Sequence, residues 1–68
     1  MLITHLGKYR RAAGMTQAQL AEAAEVSRKT INTVENGVFI PSTVLALKLA
    51  RVLNVSVHDL FQLEKDES

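Results

Sequence analysis

Between positions 27 and 33 the sequence places a hydroxyl, a guanidinium, an ammonium, a carboxamide and a second hydroxyl, on Ser27, Arg28, Lys29, Asn32 and Thr33. Ile31 and Val34 lie among and after them. At helical spacing the two aliphatic residues share one face and the polar five take the other. Nothing nearby equips these groups for covalent chemistry. Ser27 has no histidine–acid partners, and the chain has no glycine-rich phosphate loop. What remains is recognition by hydrogen bond and charge. Arg and Lys donate to O6 and N7 of guanine, Asn pairs with the adenine edge, and Thr meets a thymine methyl. These are the groups that reading a major groove requires. They sit on the first two turns of their helix, the part that enters the groove first. Which of Arg28 and Lys29 meets a base, and which a phosphate, stays open.

Other reactive residue types are sparse. His5 and His58 have no second metal ligand at helical or hairpin spacing, so neither a metal nor a cofactor is expected. Gln17 follows a helix start. It is either a neighbour of the cap or, because the amides there attract anions, a contact for a phosphate; the phosphate contact is expected. With no catalytic constellation, an enzyme is not expected.

Five helical patterns must position these residues. The first runs from about Thr4 to Ala13, with Ile3, Leu6, Tyr9 or Arg10, and Ala13 on one face and Gly14 as its stop. The second begins at Thr16, whose capping box is completed by Gln19, and turns Leu20, Ala21 and Ala24 inward. Ser27 caps the third, Ile31 and Val34 anchor it, and Asn36-Gly37 ends it. The fourth follows Pro41-Ser42, carries Leu45, Leu49, Ala50 and Leu53 inside, and ends at Asn54. The fifth starts at Ser56 and includes Leu60 and Phe61. No period-two strand pattern runs longer than a few positions. The expected fold is therefore all-α, a compact five-helix bundle over residues 1–63, with an acidic tail over 64–68 that frays. Only Ala24-Glu25-Val26 joins the second and third helices, which forces a steep crossing. Ala21 is small enough to sit at that crossing, and Leu20, Val26, Ile31 and Val34 fill the wedge.

Composition sets the outer limits. A chain of 68 residues makes one small domain with a thin stability margin. It has no cysteine to staple it, so helix packing and self-association must supply the stability. Val44, Leu47, Val52 and Val57 exceed what an inner stripe can use. Some of these can be core in so small a bundle; Val44, Leu47 and Val57, joined by Leu63, are candidates for a self-complementary dimer patch. Residues 1–55 carry seven Lys or Arg against three acids, whereas residues 56–68 carry four acids against one Lys. A basic body with an acidic tail suits an anionic partner. No apolar run reaches 18 residues, so no membrane span is expected. The first residues lack the charged start and apolar stretch of a signal peptide. A cysteine-free chain suits a reducing cytoplasm, the expected location.

The segments Thr16-Gln17-Ala18-Gln19-Leu20-Ala21, Val26-Ser27-Arg28-Lys29-Thr30-Ile31, Glu35-Asn36-Gly37, Pro41-Ser42 and Leu49-Ala50-Arg51-Val52-Leu53-Asn54-Val55 occur in that order. In this the chain resembles the lambda-repressor-like, or XRE/Cro, helix-turn-helix proteins, over about residues 4–62. The resemblance implies a five-helix domain that binds operator DNA as a symmetric homodimer. It implies that Gln17 meets a phosphate and that Ser27, Arg28, Lys29, Asn32 and Thr33 read bases. It also implies that the loop Asn36, Gly37, Val38 and Phe39 touches the DNA backbone. Arg10 and Glu35 match a family pair that fixes the first helix to the third; a DNA-facing Arg10 is the alternative. Two departures stand out. Position 25 is usually glycine in the family, because the turn favours positive φ, and Glu25 costs about 1 kcal/mol there. The loop Val38-Phe39-Ile40 is apolar where polar or basic residues would serve phosphate better. The expected function is sequence-specific binding of a pseudo-palindromic operator and transcriptional repression. The rival is a protein-interaction module, such as an antitoxin that presents the apolar residues of helices four and five to a toxin.

Overall fold

Helix starts in this chain are fixed by hydroxyl caps. The side-chain oxygens of Thr16, Ser27, Ser42 and Ser56 accept the backbone N–H of Gln19, Thr30, Leu45 and Asp59. A cap of this kind is worth about 1 kcal/mol. At Thr16 and Ser56 the third helical residue returns the bond, closing a capping box. In the computed structural model, which describes residues 2–64, these caps open α2 (Gln17–Ala24), α3 (Arg28–Glu35), α4 (Thr43–Leu53) and α5 (Val57–Leu60). The first helix, α1 (Leu6–Ala12), is preceded by Thr4, whose hydroxyl accepts the Leu6 N–H at 3.2 Å.

The ends of α1 to α4 follow one rule. Gly14, Glu25, Gly37 and Asn54 all take the left-handed conformation, with φ of 71°, 61°, 73° and 56°. The next amide then reaches back, as Val26 N–H does to Ala21 O at 2.9 Å and Val55 N–H to Ala50 O at 3.0 Å. Glu25 thus adopts the backbone that the turn demands.

The described residues are not all-α. Leu2–Thr4 form β1 and Phe61–Leu63 form β2, paired antiparallel with Leu2 opposite Leu63 and Thr4 opposite Phe61. This corrects two expectations. Ile3 belongs to a strand and not to the face of α1, and helix five stops at Leu60, with Phe61 extended at φ −134°. Strands of three residues are too short to show alternation. Their pairing joins the two ends of the described chain, a partnership no local pattern can carry. Phe61 is buried against the core, and the His5 N–H donates to Leu60 O at 2.8 Å, which locks the sheet to α5.

Leu6, Leu20, Ile31, Leu49 and Leu60 are wholly buried and join α1 through α5 in one core. Ala21 and Ala24 are buried where α2 packs against α3 and α4. Val52 and Val57 lean on this core, whereas Val44, Leu47 and Leu63 are exposed. The expected tail over 64–68 falls, from residue 65 on, outside the described residues.

Candidate nucleic-acid interface

The back of α3 is fastened by Ile31 and Val34, exposed by only 0% and 1%. That leaves the opposite face free. Arg28, Lys29 and Asn32 are exposed there, with Ser27 at the cap and Thr33 half-buried. Among the described residues neither Arg28 nor Lys29 makes an ion pair. Neither α2 nor α3 carries an acid in its own first turn to offset the positive end of its dipole. A surface with unpaired cations beside two helix starts suits an anion that spans both.

The hydroxyls are less free than their types suggest. Ser27 Oγ accepts the Thr30 N–H at 3.1 Å and lies 2.9 Å from Thr30 Oγ1, so it first serves the cap. Thr33 Oγ1 donates to Thr30 O at 3.0 Å. Asn36 Nδ2 donates to Asn32 Oδ1 at 3.3 Å, steadying the amide of Asn32.

Behind this face stands a part-buried carboxylate, that of Glu35. Glu35 Oε2 accepts Arg10 Nε–H at 2.6 Å, and Oε1 accepts Arg10 Nη2 at 3.2 Å. The third nitrogen, Nη1, donates to Met15 O at 2.9 Å. All three guanidinium nitrogens therefore donate within the protein. Gln17 joins the same carboxylate, its Nε2 donating to Glu35 Oε1 at 3.1 Å. The sequence reading missed this link. Its one signal is that Gln17 sits at the first position of α2, where a side chain reaches back over the preceding turn.

The loop after α3 spends its backbone donors inside the protein. The amides of Val38 and Phe39 both donate to Thr33 O, at 2.9 and 3.2 Å, and Gly37 N–H donates to Val34 O at 3.2 Å. Its backbone donors are thus engaged, and what it presents outward is the side chains of Val38, Phe39 and Ile40. His5 Nε2 lies 3.4 Å from Gln62 Oε1, and His58 is exposed. Among the described residues no three His, Asp or Glu side chains gather as metal ligands, and no helix is long and apolar enough to cross a membrane.

Comparison with known proteins adds to this geometry. A family model described as helix-turn-helix matches residues 6–60. A protein of Archaeoglobus fulgidus, named an uncharacterized HTH-type transcriptional regulator, is 42% identical over 64 residues, which is 94% of this chain and 91% of that one. The restriction-modification controller protein C.AhdI from Aeromonas hydrophila has a similar structure, with a TM-score of 0.75 at 33% identity, covering 79% of this chain and 82% of its own. SinR, the master regulator for biofilm formation, solved in complex with DNA, gives a TM-score of 0.73 at 33% identity, with coverage of 78% and 86%.

Proposed function

This chain belongs to the lambda-repressor-like helix-turn-helix family of transcriptional regulators, and from that premise we propose that it binds double-stranded DNA sequence-specifically and represses transcription through the outer face of α3. One observation carries the reading. Arg28, Lys29 and Asn32 stand exposed, the two cations free of ion pairs among the described residues, on a helix whose other face is held by Ile31 and Val34. Arg28 and Lys29 supply charge and base-edge donors, Asn32 an amide, and Ser27 positions the helix start. Gln17, held by Glu35, faces a phosphate from the start of α2. Arg10 acts through Glu35 as a positioning residue. Asn36 and Phe39 flank the same strand of DNA.

In this reading two copies bind a pseudo-palindrome with half-sites about 34 Å apart. Exposed Val44, Leu47 and Leu63, with half-buried Val57, which lines one groove with Leu47, form the self-complementary patch. The same exposure of Val44 and Leu47 favours a second reading, in which a protein partner such as a toxin covers the patch.

Selection of bound sites from random duplex DNA tests the proposal. Enrichment of an inverted repeat, with affinity falling steeply as salt rises, supports it. No enrichment, or enrichment unaltered by Arg28→Ala together with Lys29→Ala, overturns it.

A further inference from the structure

The apolar loop that fits phosphate contact poorly lies beside the reading helix. Lys29, Thr30 and Thr33 of α3, with Val38 and Phe39 of the loop, line an open notch of about 290 Å³. Val38 is 78% exposed and Phe39 49%. Large apolar side chains left in water beside a polar recognition face call for an apolar occupant. Two hydrogen bonds from the Val38 and Phe39 amides to Thr33 O hold the loop against the helix, so the notch is preformed. Thr33 has already committed its hydroxyl proton to Thr30 O at 3.0 Å. Its oxygen can still accept a hydrogen bond but has no proton left to donate to a base edge, and its methyl is the apolar group it can offer.

The apolar group that a major groove offers is the 5-methyl of thymine. We propose that this notch seats a thymine methyl, so that Thr33, Val38 and Phe39 read base identity while Lys29 at the rim takes a neighbouring polar atom. The inference rests on the DNA-binding reading above. It resolves the departure noted in the sequence: an apolar loop serves base recognition here, not phosphate.

Deoxyuridine in place of thymidine removes that one methyl and leaves the pairing edge intact. Each thymine of the selected site is replaced in turn, and affinity is measured by fluorescence anisotropy. One thymine per half-site should lose about fourfold in affinity, the worth of one buried methyl. The loss should shrink in Phe39→Ala, and in Thr33→Ser, which keeps the hydroxyl and deletes only the methyl. Circular dichroism checks that both variants fold. If no uracil substitution weakens binding, or if the same loss persists in both variants, the notch does not read thymine. A general loss in Phe39→Ala without a uracil effect would assign the loop to the sugar–phosphate chain and overturn the proposal. Failure to select any site would instead remove the DNA-binding reading itself, and the notch with it.

Discussion

The Arg10 guanidinium lies 2.6 Å from the Glu35 carboxylate, across 25 positions of sequence, and ties α1 to the last residue of α3. The Glu35 side chain is 8% exposed and that of Arg10 13%, so a charge left without its partner would stay poorly hydrated. Arg10→Ala should therefore cost about 3 kcal/mol, the low end for breaking a buried pair. In a protein this small that lowers the melting temperature by about 15 °C. Removing both charges with Arg10→Met and Glu35→Leu should cost less than the two single changes combined. Thermal unfolding followed by circular dichroism decides it. A single-variant loss below about 1 kcal/mol would mean that the pair is solvated.

Glu25 occupies a left-handed position, φ 61°, that an L side chain resists. Glu25→Gly should raise stability by about 1 kcal/mol. The change gives up the 3.7 Å contact with Lys48, but Glu25 there is 79% exposed and the pair contributes little. Asn54→Gly should gain only a few tenths of that, because asparagine tolerates the conformation. Gly37→Ala should lose stability. Urea midpoints at constant slope give all three signs; a loss on Glu25→Gly would show that the side chain does more than its contacts indicate.

Arg28→Ala and Lys29→Ala separate base reading from phosphate contact. A residue that meets a guanine should cost about 1–3 kcal/mol at one base position and relax selectivity there. A residue that meets a phosphate should weaken all sequences alike and reduce the salt slope by about one. Neither change should move the stability by more than about 0.5 kcal/mol, since both side chains are exposed. Binding to variant sites across a salt series assigns each role.

Leu47 is 56% exposed on α4, close enough to Ile40 and Val57 to line one groove with them. Leu47→Glu should leave the helices intact and convert a dimer at tens of micromolar into a monomer. Sedimentation equilibrium reads the difference. A wild-type monomer, or a variant that stays dimeric, would place self-association elsewhere or nowhere.

Local chemistry wrote much of this protein into its sequence. Thr16, Ser27, Ser42 and Ser56 mark four helix starts because a cap needs only a hydroxyl and an amide three residues on. Ile31 and Val34 identified the inner face of α3, and so its outer one, because helical period alone sorts neighbours. Tertiary structure decided what depends on distant partners. The strands at Leu2–Thr4 and Phe61–Leu63 exist through each other. Gln17 turns its amide to Glu35, which Arg10 also holds. Val38 and Phe39 become the wall of a notch because Thr33 O captures their amides. Each of these last arrangements is a contact between groups that the chain brings together only after its helices have packed.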